Sequence, residues 1–112
     1  ASRCYVGLVQ RAEALGYKVH LLFFCLDSPE QAIQRVAQRV RQGGHGIQEE
    51  VIRRRFKKGI DNLIHLYTPI CDSIMIYNNT FTPARIVARK RSLCDETEII
   101  ETDMWNKLIQ TT

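Results

Sequence analysis

The stretch Lys18-Val19-His20-Leu21-Leu22-Phe23-Phe24-Cys25-Leu26 runs straight into Asp27-Ser28-Pro29-Glu30-Gln31, and its reading decides the fold. The first part is a near-continuous apolar run carrying Val19, Phe23 and Phe24. Such a run predicts a strand buried on both faces, as in a parallel sheet. The second part is a helix start. Ser28 can cap, Pro29 suits the first helical position, and Gln31 can complete a capping box. Upstream, Ser2 to Leu15 reads as a helix with Tyr5, Leu8, Val9, Ala12 and Leu15 on one apolar face, closed by Gly16. Helix, buried strand and helix in succession predict an α/β wind.

Downstream, the helix that starts at Ser28 runs to about Gln42, with Ile33, Val36, Ala37 and Val40 as its buried stripe. Arg35 and Arg39 are four residues apart on another face and can point at one ligand. Gly43-Gly44-His45-Gly46 breaks the pattern. A second helix follows from about Gln48 to Tyr67, with Ile52, Phe56, Ile60, Leu63, Ile64 and Tyr67 inward and Arg53, Arg54 and Arg55 in its early turns. Pro69 to Asp72 is a turn, Ser73 to Tyr77 a short buried strand, and Asn78-Asn79-Thr80 a loop at its carboxyl end. Thr82-Pro83 is expected to cap a short helix reaching Lys90. Glu96 to Glu101 suits an edge strand and Asp103 to Gln110 a last helix. Residues 1–112 thus read as a single domain, without repeats or linkers.

Composition is that of an ordinary globular chain, 45% hydrophobic and 25% charged, which argues against disorder and against a disulfide miniprotein. The longest apolar run, Val19 to Leu26, is far short of the roughly 20 residues that span a bilayer, so no membrane partner is expected. No charged start leads into an apolar stretch, so no signal peptide is expected. The chain begins mid-pattern at Ala1 without Met, as a fragment or processed piece would. Its net charge is +4, and Pro29 to Gly59 alone carries +5. One contiguous segment therefore holds the whole excess. It reads either as a solvated helix face or as a surface that meets an anion. Cys4, Cys25, Cys71 and Cys94 show no C-x-x-C spacing, which points away from zinc and redox pairs and toward reduced cytoplasmic thiols.

Ligands of open α/β sheets bind beyond the carboxyl ends of the strands, here Asp27-Ser28 and Asn78-Asn79-Thr80. A phosphate site made from Arg39, His45 and Arg53 or Arg54 fits this placement, because arginine forks match phosphate oxygens. His20 and His65 read as structural. His45, flanked by glycines, reads equally as a ligand contact and as a turn residue. Neither G-x-x-x-x-G-K-[ST] nor G-x-G-x-x-G occurs.

The runs Gly16-Tyr17-Lys18-Val19-His20-Leu21-Leu22-Phe23-Phe24 and Leu26-Asp27-Ser28-Pro29-Glu30 resemble the zeta-toxin-like branch of P-loop kinases. So do Arg35-Val36-Ala37-Gln38-Arg39-Val40-Arg41-Gln42-Gly43-Gly44-His45 and Glu50-Val51-Ile52-Arg53-Arg54-Arg55-Phe56. Asn62-Leu63 to Tyr67, Cys71-Asp72, Tyr77-Asn78-Asn79 and the tail from Thr97 to Trp105 continue the likeness, and Ala1-Ser2-Arg3 is similar to the end of the family's Glu-Thr-Thr-Leu-x-x-Arg segment. The resemblance covers nearly the whole chain and matches the C-terminal half of the family's domain. It implies a partial P-loop NTPase-like parallel sheet with flanking helices, lacking the N-terminal Walker A unit. It also implies a parent that binds ATP with Mg²⁺ and passes the γ-phosphoryl group to a nucleotide sugar such as UDP-N-acetylglucosamine.

By the same resemblance, the arginine of the lid-like helix falls on Arg39, with Arg35 as second choice. A further cationic group falls on His45 or on Arg53 or Arg54. These groups would neutralise charge on the transferred phosphoryl. Arg35, Asn78, Asn79 and Thr80 would lie on the nucleotide side, and Arg3 at the edge of the substrate pocket. The Walker lysine, the Mg²⁺-binding hydroxyl and the catalytic aspartate have no counterparts here. The chain alone is therefore expected to be inactive and to bind neither ATP nor Mg²⁺ tightly. Expected partners are an antitoxin, a separate N-terminal half, or further copies joined through an open sheet edge. A non-catalytic anion- or partner-binding module is the competing reading. Nucleic-acid binding ranks last, because aromatic residues are not interleaved with the basic ones.

Overall fold

A computed structural model describes residues 5–111; Arg3 and Cys4 lie outside the described residues. Four helices and four strands follow one another as α1 (Val6–Ala14), β1 (His20–Cys25), α2 (Pro29–Arg41), α3 (Glu49–Asn62), β2 (Ser73–Asn78), β3 (Arg85–Lys90), β4 (Glu98–Ile99) and α4 (Thr102–Thr111). A π-helical turn, Leu63–Tyr67, extends α3. The strands form one sheet in the order β1-β2-β3-β4. β1 and β2 are parallel, in register from His20 opposite Ser73 to Cys25 opposite Asn78. β2–β3 and β3–β4 are antiparallel. The architecture is α/β as expected, but the sheet is mixed rather than parallel throughout.

The largest correction is β3. Residues Arg85 to Lys90 were expected to be helical, and they form a strand on the free side of β2. Ile86 and Val87 are β-branched, and pairing with β2 overrides the helix start offered by Thr82-Pro83. The register shifts between Ile76 and Tyr77: Ile76 faces Ala88 while Tyr77 faces Ile86, so Val87 is the extra residue of a bulge. The Val87 carbonyl accepts hydrogen bonds from the Ile100 and Glu101 amides at 2.8 and 3.0 Å, which seats the chain entering α4. The expected edge strand is present in shortened form as β4, clamped by Arg89 to Glu98 at 2.8 Å.

Covering one sheet face, the core gathers Ile60, Leu63 and Tyr67 beneath Ile74, Ile76 and Ala88, with Met104 and Leu108 of α4 closing it. Lys90, buried among them, donates to the Thr68 carbonyl, so its charge has a partner. The other face is open. β1, expected to be buried on both sides, is an edge strand on which Leu22 and Phe24 are 58% and 55% exposed. Phe24 stacks on Tyr77 with ring centroids 5.4 Å apart. The expected apolar stripe of α1 is likewise split: Val9 is buried, while Tyr5, Leu8 and Leu15 face solvent.

Candidate functional site

The carboxyl ends of β1 and β2 lie side by side because the two strands are parallel and in register. Asp27 leaves β1 there and organises the cluster. One of its carboxylate oxygens accepts from Asn78 Nδ2 at 2.7 Å and the other from Gln31 Nε2 at 3.5 Å. Its backbone amide donates to Thr80 Oγ1 at 3.1 Å. The Thr80 hydroxyl in turn donates to Gln31 Oε1 at 2.8 Å, and the Thr80 amide to Asn78 Oδ1 at 3.0 Å. The Asn79 amide donates to the Cys25 carbonyl at 2.7 Å. Asn78 is fully buried, so these bonds satisfy groups that would otherwise be costly.

Arg35 reaches this network from α2, where Nη2 donates to the Asn79 carbonyl at 2.6 Å. Ser28 caps α2 as expected, accepting from the Gln31 amide at 3.4 Å. The Gln31 side chain does not complete a capping box; it is committed to Asp27 and Thr80. Beside the network, Gln31, Gln34, Arg35, Gln38, Arg41 and Thr80 line an open groove of about 390 Å³. Its walls offer amide and guanidinium donors with no carboxylate, a set suited to an anion.

The structure thus brings Arg35, Asn78, Asn79 and Thr80 together, and it keeps the other candidates apart. α2 and α3 pack side by side, and Ile33, Val36 and Val40 of α2 line an apolar cleft with Ile47 and Ile52. Arg53 pairs with Glu30 at 2.7 Å near the start of α2 and with Glu49 at 3.3 Å. The Arg53 hydrogen bond foremost lowers the pKa of Glu30 from the ordinary glutamate value. Arg39 lies nine residues further along α2, about 13 Å of helical rise from Glu30. Its carbonyl accepts from the Gly44 amide at 2.8 Å, and its side chain lies so close to Gly44 that a Cβ there would clash. His45 and Arg54 are exposed. Arg53 therefore carries two carboxylates and is separated from Arg39 by most of a helix.

Sequence reasoning missed Asp27 as the organiser of the cluster, and Arg41 and the glutamines of the groove wall. Asp27 had a signal, since it is the first polar residue beyond the apolar strand. Elsewhere, burial pushes the Cys25 thiol up to about 11 and raises that of Cys71, so both are inert hydrophobes. Among the described residues, no three His, Cys, Asp or Glu side chains converge on a metal-sized site. Among the described residues, no helix is long and apolar enough to cross a membrane. Comparisons with family models, curated proteins and solved structures gave no match.

Proposed function

We propose that this chain is the C-terminal part of an ATP-dependent phosphotransferase resembling the zeta toxins, acting in the cytoplasm on a nucleotide sugar or similar small metabolite, and that alone it is catalytically inert. The observation that supports this reading most is β1. It is an edge strand, paired in parallel on one side only, with apolar residues uncovered on its second face. A parallel strand of this kind is ordinarily interior to a sheet covered on both faces. A further sheet unit carrying the phosphate loop would complete it, and its carboxyl end already bears the Arg35–Asn79 contact beside an anion-suited groove.

The residues present do not by themselves fit a magnesium-bound triphosphate. That ligand needs a cradle of backbone amides, a lysine, and oxygen ligands free to reach the metal. The Asp27 carboxylate and the Thr80 hydroxyl are spent on each other's neighbours. Arg35 with the groove beside it fits a peripheral contact to such a ligand. The same groove favours a second reading, a non-catalytic module that binds an anion or a partner chain.

Two measurements test the proposal. The chain alone, given ATP, Mg²⁺ and UDP-N-acetylglucosamine, is expected to show no turnover above a no-enzyme blank; steady turnover overturns its inertness. The intact mass of the protein made from its own gene is expected well above 13.0 kDa. A mass of that value overturns the larger kinase and leaves the binding module.

A further inference from the structure

We propose that the free edge of β1, with the apolar pocket beside it, is the docking site for an extended segment of another protein, apolar with acidic flanks, which adds to the sheet as a further strand. The proposal rests on the binding-module reading and names the partner of that module. In a strand, the backbone groups of alternate residues turn to opposite sides. The Val19 and Cys25 carbonyls bond toward β2, accepting from the Ser73 and Asn79 amides at 3.2 and 2.7 Å. Leu22 and Phe24 are out of step with them by one residue. They therefore turn amide and carbonyl to the side where, among the described residues, no strand lies. The usual guards of an edge are missing there. His20–Cys25 holds no proline, lysine or acid, and its ladder with β2 runs without a bulge.

The side chains of β1 alternate likewise. Leu22 and Phe24 are exposed on the open face, while Phe23 and Cys25 face the helices. On that helical side Phe23 and Cys25 form, with Phe56, Gly59 and Ile60 of α3, a pocket of about 190 Å³. No residue of β2 lines it, so it lies toward the free edge, where an added strand would set every second side chain. The apolar walls suit an aliphatic group. Arg55 also lines the pocket. It is exposed and, among the described residues, has no carboxylate partner, whereas Arg53 has two. A segment with an acid two positions from its pocket-filling residue meets both features. The excess of +5 over Pro29–Gly59 favours that acid at longer range. A second copy of this chain fits less well, since its own β1 supplies backbone bonds but no acid for Arg55.

The test is titration of the 112-residue chain, at low micromolar concentration and low salt, with the peptide acetyl-Val-Glu-Val-Leu-Val-Glu-Val-amide. The valines share one face and meet Leu22 and Phe24. The leucine and the glutamates share the other, with an acid on each side so that either strand direction serves. Saturable binding of one peptide per chain is expected, with slowed amide exchange at Leu22 and Phe24. The analogue with lysine at both glutamate positions is expected to bind more weakly. Arg55→Glu is expected to weaken the acidic peptide by about three- to fivefold and to strengthen the lysine analogue. Arg54→Glu makes the same change of net charge outside the pocket and is expected to leave affinity within about twofold. Both arginines are exposed, so neither variant threatens the fold. No binding, binding without protection of Leu22 and Phe24, or equal losses in the two variants overturns the docking site. Failure of the module reading itself shows in the intact mass and not in this titration.

Discussion

Leu63 has no solvent exposure and sits where α3 gives way to its π-helical turn. The Leu63 carbonyl accepts from the Thr68 amide at 2.9 Å and from its hydroxyl at 2.8 Å, so its backbone is anchored as firmly as its side chain. Leu63→Ala is expected to cost about 2–5 kcal/mol of stability, read as a lowered denaturant midpoint with an unchanged slope. The inward role of Leu63 was legible in its spacing from Ile60 and Tyr67. The partners of the arginines were not. Arg35 and Arg53 read alike as candidate phosphate contacts, yet one meets a backbone carbonyl and the other two carboxylates. Side-chain spacing within a helix says which residues share a face. It does not say what a neighbouring helix places opposite them.

At the scale of elements, α2 and β3 behave in opposite ways. α2 has no buried residue, so its order depends on the Ser28 cap, the Pro29 start and the contact with α3. Ser28→Ala is expected to destabilise α2 by about 0.5–2 kcal/mol. That loss should appear as faster exchange confined to residues 29–41, with β2 unaffected; uniform loss across the domain would show the cap to be coupled to the core. β3 owes little to local signals. Its six residues carry both helix-compatible and strand-compatible types, and the unfilled side of β2 decides between them. A single bulge then turns Val87 inward beside Ala88 and frees its carbonyl to seat α4.

The whole molecule exposes more surface than its mass requires. Its accessible area is 7529 Å², against about 6,300 Å² for a compact monomer of 13.0 kDa. Its radius of gyration is 15.1 Å, against about 13 Å for a compact chain of 112 residues. The excess, on the order of 1,200 Å², exceeds the roughly 800 Å² that one partner contributes to a standard interface. The edge of β1, free of charged side chains, and the exposed Leu22 and Phe24 mark where further chain or further copies would attach. Produced alone, the protein is expected to associate in light scattering. Leu22→Lys combined with Phe24→Lys, both on the open face, is expected to leave it folded and monomeric. A wild-type chain that scatters as a monomer would remove the case for association through this edge.

The sequence by itself determined what depends on neighbours within a few positions: the apolar strand at Lys18 to Leu26, the capped start of α2, the inward stripe of α3, and a basic excess confined to Pro29–Gly59. Each follows from periodicity, capping chemistry or charge count. Only the tertiary structure decided that β3 is a strand, that β1 is an edge, and that Asp27 gathers Asn78, Gln31 and Thr80. Asp27 and Asn78 are 51 residues apart, and Arg35 and Asn79 are 44 apart. Contacts of that separation are set by which strand lies beside which, and strand order carries no local signature for a single chain to display.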